Sequence, residues 1–149
     1  MYKLLNNIVV CRKTLYKWKR LNNDKCPYCN DTESVIHIYF ECSRITNIWV
    51  KLSQIININI TWKRVLLGYT SNIDNLYNML FSIVMYAIFK VWCSSTEDED
   101  GYKNMDITSL IKKDLRNWTS ILKLTAIGQD KEVFYKQTCF TFNNIIDNI

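Results

Sequence analysis

Apolar side chains recur at helical intervals along most of the chain. In residues 3 to 20, Leu4, Leu5, Ile8, Cys11, Leu15 and Trp18 share one side while basic residues fill the positions between them. That pattern predicts an amphipathic helix, interrupted near Val9-Val10, with Trp18 on its core side. Asn22-Asn23-Asp24 reads as its stop. Further on, Val35, Ile36, Tyr39 and Phe40 repeat with helical spacing, and so do Ile45, Ile48, Trp49 and Leu52. Two short helices meeting near Cys42, with Ser43 as a cap, are expected there. The stretch from Ile55 to Leu67 is rich in β-branched residues and asparagine, which predicts extended chain. Gly68 to Asp74 reads as a loop, with Ser71 or Asn72 capping a long apolar helix up to Trp92. A polar, acidic linker over 94–106 follows, then two closing helices, Thr108 to Leu124 and Asp130 to Asp147, separated by Gly128.

Composition narrows the class. The 149 residues are 48% hydrophobic and 22% charged, a globular balance, and three glycines with one proline are too few for the turns of an all-β sandwich. The expected fold is therefore mainly α, with five to six helices. Two regions are expected: 1–55, a basic helix with a cysteine knuckle and the helix after it, and 56–149, a helical C-terminal region. The apolar run from Leu76 to Trp92 falls just under the length of a membrane span and contains Asn78, Ser82 and Lys90, so a buried core helix is expected and no membrane partner. Six cysteines without a convincing signal peptide fit a reducing, intracellular setting, nuclear or cytoplasmic. The net charge of +5 is uneven. Residues 1 to 22 hold Lys3, Arg12, Lys13, Lys17, Lys19 and Arg20 and no acid, whereas Glu97 to Asp100 form an acidic run that reads as solvated. The basic end suits a polyanion, or equally a solvated helix face.

The segment KCPYCNDTESVIHIYFEC, residues 25 to 42, carries the candidate chemistry. Its C-P-Y-C could serve as a redox dithiol, but such a loop needs a strand end before the first cysteine and a helix N-terminus to lower the thiol pKa. The preceding residues are KRLNND, and Pro27 is the only proline, leaving none to present a substrate. The metal alternative has its four donors in place: Cys26, Cys29, His37 and Cys42, in the pattern C-x2-C-x7-H-x4-C. Three thiolates and one imidazole would close a tetrahedral Zn²⁺ site with no open position, so one structural zinc is expected and no metal catalysis. Asn30 suits a left-handed conformation after the second cysteine. On one continuous α-helix His37 and Cys42 would lie about 140° apart around the axis. A break is therefore expected near Glu41-Cys42. Cys11, Cys93 and Cys139 read as simple core residues.

These motifs carry a resemblance. "CPYCNDTESVIHIYFECSRITNIW" resembles the zinc-binding segment that follows the polymerase in reverse transcriptases of LINE-type non-LTR retrotransposons: C-P-x-C, an acidic stretch, threonine or serine-x-x-His, aromatic or apolar residues, E-C, and a tryptophan seven residues on. Here these are Cys26, Pro27, Cys29, Glu33, Ser34, His37, Tyr39, Phe40, Glu41, Cys42 and Trp49. "TLYKWKRLNNDKCPYC" looks like the family's lead-in. "VLLGY", "IFKVW" and "DKEVFYKQTCFTF" are similar to its C-terminal helices. Asn30 stands where the family often has glycine, and neither the polymerase's paired aspartates nor an endonuclease motif is present.

The resemblance implies a non-catalytic, zinc-stabilised module that grips template RNA or target DNA, with no small-molecule substrate. Candidate nucleic-acid contacts are Arg12, Lys13, Lys17, Lys19, Arg20, Lys25 and Tyr28, with Tyr16 and Trp18 nearby and Arg44, Lys63 and Arg64 as weaker candidates. The alternative is a structural or protein-interaction domain, an orphaned retroelement fragment, in which zinc only holds a helical platform together.

Overall fold

The long apolar segment forms the central helix of the fold. The computed structural model describes residues 9–68, 74–95, 105–125 and 129–149. Among these are α1 (Arg12–Lys17), a π-helical turn (His37–Glu41), α2 (Ser43–Ile56), α3 (Trp62–Leu67), α4 (Asp74–Ser95), α5 (Ile107–Thr125) and α6 (Gln129–Asn148). No strand occurs among the described residues, only a single antiparallel bridge between Lys25 and Thr32. The mainly helical expectation holds, with a Cys/His cluster near its N-terminal end that is compatible with a zinc site.

In α4, Leu76, Leu80, Phe81, Ile83, Val84, Met85, Ala87, Ile88 and Val91 are buried. Several are β-branched and cost helix propensity, at most about 0.7 kcal/mol each. Burial contributes about 1.5–3 kcal/mol for each large side chain, so tertiary packing decides the outcome. By length and composition this helix could cross a membrane, yet half of its apolar window is covered by the rest of the fold. Around it, α5 buries Ile107, Ile111 and Leu115 at successive turns, and α6 buries Thr138, Phe142 and Ile145. A charged clasp joins α4 to α5, where Lys90 Nζ lies 2.7 Å from Asp114 Oδ2. Apart from Leu76, the buried hydrophobic residues from Cys11 to Ile145, Cys26 and Cys42 of the knuckle included, belong to one cluster.

Three expectations are corrected. The first helix is short: Cys11 is its extended N-cap, and after Trp18 the chain turns through Lys19 at φ 57°. Trp18 sits past the helix end and is 60% exposed, not core. Residues 55 to 67 are mostly helical, with extended backbone kept only around Thr61. Ile55 and Ile56 finish α2, Asn57 caps it in the left-handed conformation at φ 53°, and the Thr61 hydroxyl accepts from the Arg64 amide to start α3 around the buried Val65. Local capping and one buried valine outweigh the β-branched bias here. Finally, Cys42, not Ser43, is the N-cap of α2. The closing helices lie as expected, within a residue or so at each end. The expected helical residues before 9, the cap at Ser71 or Asn72, the Glu97 to Asp100 run and Gly128 lie outside the described residues.

Candidate metal centre

A tight loop presents the first two cysteines. Pro27 and Tyr28 form its corner, the Asn30 amide donates to the Cys26 carbonyl at 3.0 Å, and the Cys26 amide donates to the Asp31 carbonyl at 2.7 Å. Asn30 takes φ 64°, the left-handed conformation expected of it. The loop aims backbone N–H groups at sulfur: those of Tyr28 and Cys29 at Cys26, and that of Asp31 at Cys29. The Arg44 amide does the same for Cys42. Such donors favour thiolate over thiol.

The second pair rests on an unusual turn. The Ser34 hydroxyl accepts from the His37 amide at 3.1 Å, capping the helical turn that carries the imidazole. This gives the serine-x-x-His spacing a physical reason. The turn then widens, with the Cys42 amide donating to the His37 carbonyl at 2.9 Å, five residues back. A π-turn stacks residue i+5 over residue i, where an α-turn would swing it away. Cys42 then breaks the path at φ −55°, ψ 132°. The expected break is present, but the widened turn before it is what aligns the two ligands. Ending the π-turn at Cys42 leaves carbonyls of residues 39 and 40 in need of donors. α2 supplies them: the Trp49 indole N–H donates to the Tyr39 carbonyl at 2.8 Å, and the Thr46 hydroxyl to the Phe40 carbonyl at 2.9 Å.

The four ligand atoms of Cys26, Cys29, His37 and Cys42 lie within 4.8 Å of one another. Cys29 Sγ is 3.2 Å from His37 Nε2 and 4.0 Å from Cys42 Sγ. Around a tetrahedral ion with bonds of zinc length, two sulfurs would be about 3.8 Å apart and a sulfur and nitrogen about 3.6 Å. The donor set fits such an ion, and three of its four residues are buried. The four can therefore hold a metal ion. Cys26 is pulled down to about 4, first by the hydrogen bond from the Cys42 thiol and against the effect of burial. Cys42 is correspondingly held protonated, first by that same bond and then by burial, and burial also raises Cys29. Three thiolates cannot share one pocket without a cation, so a metal ion would displace the remaining thiol protons.

One residue of this region was marked in sequence only as part of an acidic stretch. Glu33 is 2% exposed. Its Oε1 accepts from the Arg12 amide at 3.0 Å and the Trp92 indole N–H at 3.4 Å. Its backbone amide donates to the Asp24 carbonyl at 2.8 Å, and its carbonyl accepts from the Lys13 amide at 3.1 Å. Glu33 thus ties the start of α1 and the end of α4 to the knuckle. No periodicity marks a buried acid of this kind. Burial is the first cause that pushes its carboxyl upward from the ordinary value. A raised pKa means that the stabilising contribution is fully present below the unfolded value and is lost as pH rises through the folded one. Glu33→Gln keeps the acceptor without the charge. It should match or exceed wild-type stability at pH 8, with the advantage shrinking toward pH 4 in urea unfolding series. Glu33→Ala should instead cost about 1–3 kcal/mol, because two partly buried donors lose their acceptor.

Of the nucleic-acid candidates, Lys13, Lys17, Lys19, Arg20 and Lys25 are exposed, while Arg12 is half-buried beside Glu33. Tyr28 is 46% exposed, and the Arg44 guanidinium lies 5.3 Å from its ring centroid. Tyr16 is exposed together with Trp18. Lys63 and Arg64 are exposed on α3, where Arg64 Nη1 donates to the Asn59 carbonyl at 2.7 Å. Cys11 is buried and Cys93 and Cys139 are half-buried, and none of them belongs to the four-residue cluster. No protein-family model, curated protein or solved structure matches the chain.

Proposed function

We propose that this chain is a non-catalytic nucleic-acid-binding module held by one structural zinc ion, akin to the region that follows the polymerase in LINE-type reverse transcriptases. Zinc is favoured by the donor chemistry: three sulfurs and one imidazole nitrogen in a small, largely buried tetrahedron suit Zn²⁺ and leave no position for a reacting water. The observation that carries nucleic-acid binding is the exposed surface of residues 13 to 28. It offers Lys13, Lys17, Lys19, Arg20 and Lys25 beside Tyr16, Trp18 and Tyr28. Cations attract phosphates, and exposed rings stack on unpaired bases.

Single-stranded RNA tests this directly. Affinity should fall steeply with salt, with a log–log slope of about −0.7 for each phosphate neutralised. Replacing Lys17, Lys19 and Arg20 together by glutamine should weaken binding and make that slope shallower by roughly 2. Absence of binding at low salt would remove the proposal.

A second reading, a protein-interaction platform, has its own observation. An open groove of about 600 Å³ between α4 and α5 is lined by Met79, Ile83, Tyr86, Trp118 and Ile121. If no nucleic acid binds while the zinc is retained, this reading takes precedence.

A further inference from the structure

Arg44, Asn47 and Lys51 fall at i, i+3 and i+7 of α2, so they form one stripe along its flank, beside the buried Ile48. They face a cleft of about 190 Å³ whose other wall is Met105, Asp106, Ile107 and Thr108, at the start of α5. That open space is enough for a phosphate group. Among the described residues Asp106 is the one acid lining it, and its carboxylate, on which the Arg44 charge acts, is already engaged. Oδ1 accepts from the Thr108 amide at 2.9 Å and Oδ2 from the Ser109 hydroxyl at 2.6 Å, which caps α5. Arg44 and Lys51 thus leave the described lining of the cleft net positive. A second observation connects it to the knuckle. The same Arg44 guanidinium lies over the half-exposed Tyr28 ring, so a base stacked on Tyr28 would bring its own backbone to Arg44. A merely solvated helix face would have neither the enclosing wall nor the aromatic neighbour.

We infer that the strand bound at the knuckle continues into this α2–α5 cleft, where Arg44, Asn47 and Lys51 hold a backbone phosphate of single-stranded nucleic acid. The inference rests on the nucleic-acid reading above. It adds Asn47 and Lys51, which sequence patterning did not mark, and it gives Arg44 two tasks: supporting the Tyr28 ring and neutralising the adjoining phosphate.

Fluorescence anisotropy with a labelled single-stranded RNA, on the zinc-loaded full chain, tests it. Lys51 and Asn47 are exposed, so Lys51→Gln and Asn47→Ala should leave the helical signal and zinc content intact. Lys51→Gln should weaken binding about 3- to 10-fold and make the salt slope shallower by about 0.7. Arg44→Gln should weaken it more, since stacking support is lost as well. Lys113→Gln, an equal charge change on α5 outside the cleft, should leave affinity within twofold of that lost to general charge alone. If Lys51→Gln and Lys113→Gln behave alike while the Lys17, Lys19 and Arg20 replacement still weakens binding, the cleft is no phosphate site and the broader function stands. If wild-type protein binds no RNA, both fall. If a polyglutamate peptide binds wild type as tightly as RNA does and is equally sensitive to Lys51→Gln, the cleft takes acidic peptide and the inference is overturned.

Discussion

Cys42→Ser is expected to lose the metal and lower Tm by roughly 8–16 °C, even though serine is the better helix cap. Structural zinc contributes about 10–16 kcal/mol of apparent binding energy in small modules, and that energy is coupled to folding. One ligand lost from four forfeits a large part of it. A loss of about 4 kcal/mol would account for the shift in a chain of this size. The sign is informative because Cys42 holds two positions at once. It is one of the four clustered donors and the N-cap of α2, where its side chain makes no capping hydrogen bond. A serine hydroxyl there should gain about 1 kcal/mol. Without a metal, then, the variant would be as stable as wild type or more so. Thermal melts with and without chelator, beside metal analysis, separate the cases. Wild type should carry one equivalent of zinc and fall toward the variant's Tm when chelated. Protons compete with the ion for the thiolates, so retention should weaken as pH falls.

Trp49→Ala should be the most damaging change away from the ligands, at about 3–5 kcal/mol for the buried ring. The ring is 3% exposed and packs between Phe40, at 5.9 Å, and Phe81 of α4, edge-on at 5.8 Å. Its indole N–H also holds the Tyr39 carbonyl of the π-turn. Trp49→Phe keeps most of the ring contact and drops that bond, leaving a buried carbonyl unpaired at a cost of about 1–3 kcal/mol. Both variants should bind zinc more weakly, because the turn that aligns His37 and Cys42 loses a strut. Urea unfolding and competition with a zinc indicator measure the two effects. By contrast, Trp18→Ala, at an exposed position past the end of α1, should stay within about 0.5 kcal/mol of wild type. Equal losses at positions 18 and 49 would contradict the packing described.

The contrast between these tryptophans shows what the sequence could carry. Helices α4, α5 and α6 were legible because each repeats its apolar positions over many turns, long enough for period to dominate. Trp18 was misplaced because the same period was extended past a helix of six residues, and its end depends on Lys19 adopting a left-handed conformation that lysine does not advertise. Residues 55 to 67 were misread because β-branched content was weighed without the caps at Asn57 and Thr61. The cluster of Cys26, Cys29, His37 and Cys42 was legible because its constraint is local. Four donors within seventeen residues leave few ways to converge, and helix geometry already required His37 and Cys42 to depart from a straight α-path. What spacing did not convey was the means, a turn widened by one residue and propped from α2. Glu33 was hidden for the opposite reason: its burial is set by Arg12 and Trp92, far from it in the chain.

The wide turn makes the count of residues between the last two ligands a measure of backbone shape. With three intervening residues, an ordinary α-turn would already superimpose them and no expansion would be required. With four, as here, the backbone must open to an i→i+5 ring before it can enter α2. A one-residue deletion between His37 and Cys42 would thus do more than shorten a loop: it would exchange one kind of helical ring for another and re-aim the entrance of the following helix.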